Sequence, residues 1–335
     1  MHRLEAYWYR LSPLHLVLWP LSVVFGALAA LRRFLYRAGL LASARVGVPV
    51  IVVGNINVGG TGKTPCVIWL AAWLLDHGFK PGIIARGYRG NARAPRPVTA
   101  ASDPGAVGDE AVLLARRCAC PVWVGNARVA AAQALLAAQP QCDVIISDDG
   151  LQHYALERDV ELVVIDGERG CGNGMLLPAG PLREPVTRLA RVDALVINGG
   201  TLFPQAILPS AVPAFDMRLE GATFYALRAP QQEVGPAHFA EQAVRAVAAI
   251  GNPQRFFNRL HELGITFTAR AFPDHHAYTP ADCAVGAQTA VIMTEKDAVK
   301  CERLAGAGDH WWALRVDAVM DPGLGDLIQH KIGRK

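Results

Sequence analysis

Residues 57–64 read NVGGTGKT, a glycine-rich run that ends in a lysine and a threonine. It follows an apolar strand-like stretch and precedes a helix-forming one. In that setting the backbone N–H groups curl around a phosphate, and the helix N-terminus adds partial positive charge. Lys63 would reach the β- and γ-phosphates of ATP, and the Thr64 hydroxyl would ligate Mg²⁺. The cradle comprises Asn57, Val58, Gly59, Gly60, Thr61, Gly62, Lys63 and Thr64. The general pattern wants glycine where Asn57 stands. Asparagine tolerates a left-handed backbone better than most residues, so the loop is expected to survive the change.

Two further acidic pairs could join this chemistry. DVIISDDG at 143–150 is an apolar strand running into Asp148 and Asp149. Carboxylates at a strand tip in such a sheet are usual partners of the nucleotide's magnesium; the alternative is a plain Asp-Gly turn. Mg²⁺ uses one or two carboxylates and keeps waters, so one of the two aspartates is expected to bind directly. Asp109 and Glu110 open a helix after Gly108, where acids also simply complement the helix dipole. Asp274, His275 and His276 form a loop in which a carboxylate beside an imidazole could orient or tune a base. A surface or metal-binding histidine pair is the alternative, but no other ligand cluster lies near, and zinc is not expected.

The elements that must position these groups alternate regularly. Apolar strands at 46–55, 81–88, 121–125, 142–150, 160–167 and 192–199 alternate with helices at 64–78, 108–118 and 127–139. That rhythm predicts a mostly parallel sheet covered by helices, a P-loop NTPase-like α/β/α core. Prolines then punctuate 201–232, where FDMRLEGATFYAL (215–227) reads as antiparallel linking strands. A second α/β unit follows, with a strand, glycine turn and helix over 244–264, a strand and charged loop over 289–300, and a strand at 310–318. The expected organisation is an N-terminal segment (1–45), a nucleotide-binding domain (46–200), a β linker (201–232) and a smaller α/β domain (233–330). A chain of 335 residues suits two domains, and 52% hydrophobic with 19% charged residues excludes a disordered one.

Charge is distributed unevenly. Residues 1–46 carry six arginines against Glu5, whereas the remaining 289 carry 27 basic and 28 acidic side chains. Because the excess lies beside an apolar run and not on a folded face, no nucleic-acid partner is expected. Leu14–Leu31 (LHLVLWPLSVVFGALAAL) is plainly polar only at His15 and Ser22, and Arg32, Arg33 and Arg37 follow. As a helix it would span about 27 Å, just short of a bilayer's hydrocarbon core, with Pro20 expected to kink or break it. A cleaved signal peptide, a buried core helix and a membrane-seated helix compete. The last is preferred, with the arginines on an anionic lipid surface. The seven cysteines lack a CxxC pair and read as reduced, mostly buried thiols.

Taken in order, the helix and VGNINVGGTGKTP (53–65), ARGYRG (85–90), VGDEAVLLARR (107–117), SDDGLQH (147–153), GNGMLLPAGPLREP (172–185), FPDHHAY (272–278) and MTEKDAVK (293–300) resemble the tetraacyldisaccharide 4'-kinases, the lipid A 4'-kinases of Gram-negative bacteria. The resemblance spans nearly the whole chain. It implies transfer of the ATP γ-phosphoryl to the 4'-hydroxyl of a tetraacylated, 1-phosphorylated glucosamine disaccharide. It further implies a monotopic enzyme on the cytoplasmic face of the inner membrane, a monomer whose two α/β/α domains are joined by a two-stranded linker. Asp109 matches the family's catalytic base and His275 its dyad partner, while His276 takes no role. Lys63, Thr64, Asp148 and Asp149 match the nucleotide and magnesium residues, with Glu110 assisting. Arg86, Tyr88 and Arg183 match positions near the phosphates or the lipid headgroup. The family's loop is compatible with Asn57.

Two other functions fit parts of the sequence. One is a soluble P-loop kinase or ligase acting on a small metabolite, with the N-terminal helix in its core. The other is a membrane-surface ATPase of the partitioning type, whose loop carries an early lysine where this chain has Val58. TEKD (294–297) leaves Lys296 without a firm role.

Overall fold

The structure is a computed structural model that describes residues 7–9, 13–87, 94–200, 208–286, 288–304 and 310–333. The first half runs β1 (Val50–Gly54), α2 (Lys63–Asp76), β2 (Pro81–Ala85), β3 (Arg96–Val98), the short α3 (Pro104–Val107), α4 (Asp109–Arg117), β4 (Val122–Val124), α5 (Arg128–Ala138), β5 (Val144–Asp148), β6 (Val160–Asp166) and β7 (Ala194–Asn198), after an N-terminal helix α1 (Leu14–Arg37). The central strand β1 lies parallel between β5 and β6, and all five of its residues are buried. Its alternation feeds both faces. Ile51 and Val53 enter one apolar cluster, with Leu70 and Leu74 of α2; Val50 and Val52 enter the other, with Leu135 of α5. A strand covered on both sides must be apolar throughout, which is why this segment reads as an unbroken hydrophobic run.

The second half comprises β8 (Ala214–Ala226), β9 (Glu233–Val234), β10 (Ala243–Ala248), α6 (Pro253–Glu262), β11 (Thr268–Ala271), β12 (Thr289–Thr294), α7 (Glu295–Cys301), β13 (Trp311–Met320) and α8 (Gly323–Ile332). Both halves share one sheet in the order β11-β10-β12-β13-β8-β7-β6-β1-β5-β2-β4-β3, with β9 on β8. The join is two-stranded: residues 214–226 form one continuous 13-residue strand that pairs antiparallel with β13 from Met217↔Met320 to Ala226↔Trp312, with a bulge between Arg315 and Asp317. The chain therefore leaves the first half on β8 and returns on β13. The last helix follows that return. Leu324, Ile328 and Ile332 of α8 recur every four residues, sharing one helix face, and bury in the cluster that holds Leu70 and Leu74. Helix α8, drawn within the 233–330 unit, thus packs its apolar face in the nucleotide-binding half.

Helix α1 runs unbroken through Pro20 for 24 residues, about 36 Å. It is not a core helix, because only 11% of its apolar stretch is buried. Its two buried residues, His15 and Ser22, are polar. The Ser22 hydroxyl donates to the Leu176 carbonyl and accepts from the Ala179 N–H, both at 2.9 Å, and His15 is buried beside the Tyr7 carbonyl. Arg33 pairs with Glu184 at 3.3 Å. Leu16, Leu28 and Phe34 are 79%, 62% and 61% exposed. Five of the seven free cysteines are buried.

Candidate active site

The β1–α2 turn forms the loop expected from the sequence. Gly62 caps α2 at φ +98°, a conformation open to glycine, and a Cβ there would strike the Asn198 amide. That amide donates to the Thr61 carbonyl at 3.0 Å, bracing the loop from the end of β7. Asn57 departs from its expected role. It is not left-handed; its buried side chain donates to the Gly170 carbonyl at 2.7 Å and fixes the loop from behind. Val58 to Thr64 line a cleft of about 1740 Å³, and Asn57 does not.

Asp148 ends β5 and Asp149 follows it at φ +48°. Their environments diverge. Asp149 lies 3.4 Å from Lys63 Nζ and 3.1 Å from Arg183. Burial opposes its charge, but these two cations hold its carboxyl well below the usual carboxylate range. Asp148 is fully buried, and burial, Glu110 and Asp149 together push it up to about 7 against the pull of Lys63 and Arg128. Its Oδ1 has no hydrogen-bond partner. A buried carboxylate oxygen without a partner, beside Glu110 and Asp149, fits a divalent cation. Among the described residues no three His, Cys, Asp or Glu side chains form a ready metal cage. Mg²⁺ held chiefly by substrate phosphates needs none.

Asp109 begins α4, after Gly108 at φ +91°. Its Oδ2 lies 3.3 Å from His275 Nδ1, so the pair joins residues 166 apart in sequence. Burial opposes ionisation of Asp109, but the His275 hydrogen bond and the charge of Lys296 and Lys300 bring its carboxyl down to about 2. His275 adopts φ +59°, a strained backbone for a non-glycine residue, and its N–H is held by the Ala249 carbonyl at the end of β10. His275 lines the cleft; Asp109 is 7% exposed and sits behind that wall. Glu110, expected to assist the metal, is ion-paired with Lys296 at 2.9 Å. Lys296 also reaches Asp274 at 3.4 Å. His276 turns away to Asp282.

The three lower-order assignments separate. Arg183 and Arg86 line the cleft, Arg86 as an exposed side chain, and Tyr88 lies outside the described residues. Sequence reasoning passed over several others. Arg128, 3% exposed, donates to the Asp148 and Gly125 carbonyls, and burial brings its guanidinium down to about 10. His153, brought down to about 4 by burial and the neighbouring Arg128 and Arg86, lines the cleft with Gln152. Glu184 accepts from Gln152 at 2.8 Å and from Tyr154 at 2.5 Å while pairing with Arg33 of α1. Gln152 and His153 lie within the SDDGLQH run, which was the available signal; Arg128 reads as an ordinary residue of a helix first turn.

The phosphate loop, Asp149 and His275 line the cleft, with Asp148 and Asp109 buried behind that lining and the Asp–His pair drawn from opposite halves of the chain. Phe25, Leu28, Ala29 and Arg32 of α1 line the same space. Known proteins resemble this chain along nearly its whole length. The family described as tetraacyldisaccharide-1-P 4'-kinase matches residues 14–333. The tetraacyldisaccharide 4'-kinase of Methylobacillus flagellatus is 50% identical over 331 residues, covering 99% of this chain and 96% of its own. That of Dechloromonas aromatica is 48% identical, covering 98% and 97%. The crystal structure of the "apo" form of LpxK from Aquifex aeolicus in complex with ATP superposes with a TM-score of 0.79 at 29% identity, covering 95% of this chain and 99% of that one. By match to that family from residue 14 to residue 333, and by near-half identity with relatives along almost its full length, this chain belongs to the tetraacyldisaccharide-1-P 4'-kinases.

Proposed function

We propose that the protein transfers the γ-phosphoryl group of ATP to the 4'-hydroxyl of tetraacyldisaccharide 1-phosphate, forming lipid IVA at the cytoplasmic face of the inner membrane. One observation carries the reading: Lys63 of the phosphate loop, His275 of the dyad and the inner face of the apolar helix α1 line one continuous cleft. An acceptor that stays in a bilayer needs such a path from lipid to nucleotide. The outward apolar face of α1 would enter the lipid, and Arg32 and Arg37 would meet anionic headgroups at about 1 kcal/mol each.

The loop amides and Lys63 bind and neutralise the phosphates, so Lys63 exchanges Asp149 for the nucleotide. A magnesium ion, when bound, supplies further charge neutralisation on the phosphate oxygens. Thr64 and Asp148 would hold it, with Asp149 and Glu110 as nearby charge. Asp109 accepts the proton of the 4'-hydroxyl late in a loose transition state, and His275 orients it. A carboxylate has about four lone-pair positions, and the Glu110 N–H and His275 occupy two on Asp109. Closure of the two halves excludes water and limits wasteful ATP hydrolysis.

The test is incubation of purified enzyme with γ-labelled ATP and tetraacyldisaccharide 1-phosphate in mixed micelles. Label is expected in the lipid at the 4'-position, with little release of phosphate in the absence of lipid. Turnover of ATP that never labels lipid would leave the partitioning-type reading, which Val58 in place of a lysine already disfavours. The soluble-kinase reading expected α1 in the core, and α1 is largely exposed.

A further inference from the structure

We propose that Lys296 is a positioning residue that fixes the tautomer of His275, and through it the orientation of the Asp109 carboxylate. The inference rests on the kinase reading of the same site. Lys296 is the second residue of α7, and its Nζ lies 2.9 Å from Glu110 Oε1, 3.4 Å from Asp274 Oδ1 and 3.3 Å from His275 Nε2. An ammonium has three N–H donors and no acceptor. Pointed at His275 Nε2, it can only donate, so that nitrogen presents its lone pair. In the neutral ring the proton then sits on Nδ1, the nitrogen 3.3 Å from Asp109 Oδ2. The opposite tautomer would set two lone pairs, Nδ1 and carboxylate, against each other, and would aim an N–H at the ammonium. Asp274 Oδ2, at 3.8 Å from Nε2, is beyond hydrogen-bond reach and cannot reverse the choice.

The scaffold holds both partners to one point. The His275 N–H donates to the Ala249 carbonyl, and the Ala249 N–H donates to Asp297 Oδ2 at 3.1 Å. Asp297 is fully buried in the first turn of α7, where the Thr294 hydroxyl donates to it at 2.7 Å. The end of β10 therefore anchors the imidazole loop and the helix that carries Lys296. Glu110, adjacent to Asp109, completes the arrangement from the other half of the chain. The TEKD run is accounted for: Thr294 and Asp297 set the helix start and Lys296 acts on the dyad.

The test reads tautomer and kinetics together, at one fixed pH, on the full-length enzyme in detergent. Long-range ¹H–¹⁵N correlation of histidine-labelled protein should give His275 as the Nδ1–H tautomer in the wild type. In Lys296→Met it should become mixed or Nε2–H, with kcat lower by about 10- to 100-fold, part of the 10²–10⁴ that a general base supplies. KM for ATP and lipid should stay within about threefold. Lys296→Arg, still a donor-only cation, should keep the Nδ1–H form and recover much of kcat. An Nε2–H ring in the wild type overturns the proposal by itself, even where Lys296→Met fails to fold. So does a Lys296→Met enzyme that retains the tautomer, or that changes it with kcat intact. A wild-type enzyme that never labels lipid would instead overturn the kinase reading and leave the tautomer result standing.

Discussion

At the scale of single residues, the two acids of the site do opposite things with their surroundings. The His275 hydrogen bond and the lysines hold the Asp109 carboxyl low against its burial, whereas burial beside Glu110 and Asp149 raises that of Asp148 against the pull of Lys63 and Arg128. Asp109→Asn keeps the shape and removes the base, so kcat for lipid phosphorylation should fall about 10²- to 10⁴-fold with ATP affinity little changed, measured by product labelling and calorimetry. His275→Ala should fall less, because Asp109 remains. Asp148 gives a prediction in pH. Its folded pKa is raised, so between the ordinary carboxylate range and about 7 the folded state binds the proton that the unfolded state has lost. Stability of the metal-free protein therefore drops as pH rises through that window. Magnesium needs the ionised carboxylate, so its stabilising effect should be larger at pH 8 than at pH 6 and absent in Asp148→Asn. Thermal unfolding with and without Mg²⁺ at both pH values measures this; equal shifts at the two would remove Asp148 as the binding group. The sequence exposed these acids because motif and strand end coincide. It did not expose Arg128 or Glu184, whose roles arise only when distant loops bring carbonyls and cations to them.

At the scale of elements, α1 inverts the usual order of an amphipathic helix at its buried positions, which are the polar His15 and Ser22, while most of its large apolar side chains stay exposed. Composition revealed its apolar length, and only packing revealed which face docks: Ser22 turns inward to the 176–179 turn and His15 to the Tyr7 carbonyl. The inversion yields a paired prediction. Leu21 and Val24 are 58% and 57% exposed, so Leu21→Asp with Val24→Asp should leave the unfolding midpoint unchanged. The same pair should abolish co-sedimentation with anionic vesicles, since each apolar side chain buried in lipid contributes about 2 kcal/mol. Ser22→Val does the reverse. It strands the Ala179 N–H and leaves the Leu176 carbonyl with the Gly180 N–H as its remaining donor, costs about 1–3 kcal/mol in stability, and leaves vesicle binding in place. If the double aspartate variant unfolds early and still sediments with vesicles, α1 is a packing helix and its membrane role is lost.

At the scale of the whole molecule, Asp109 and His275 meet only because the two halves are held together, and the resemblance named the pair without the contacts that hold it. The strands of each half were legible from their apolar runs, but β8 and β13 pair across roughly ninety intervening residues, and nothing local specifies that register. The same holds for the contact of α4 with α7. Arg117 of α4 reaches Glu295 of α7 at 2.5 Å and also Asp317 of β13, while Arg116 forks onto Glu302 at 2.6 and 2.8 Å. The two clasps should differ in weight because their burial differs. Glu295 is 7% exposed, and burial raises its pKa despite Arg117. Removing Arg117 leaves that carboxylate buried with the Val316 N–H as its remaining donor. Arg117→Met should therefore cost about 3–5 kcal/mol. The Arg116–Glu302 side chains are 25% and 21% exposed, and Arg116→Met should cost about 1 kcal/mol or less. Urea unfolding of the two variants measures the difference. Because α4 begins with Asp109 and α7 carries Lys296, Arg117→Met should also lower kcat at temperatures where the protein remains folded, with ATP affinity nearly intact. Equal, small losses for both arginines would mean that β8 and β13 alone hold the halves in register and that the α4–α7 contact contributes little to assembling the dyad.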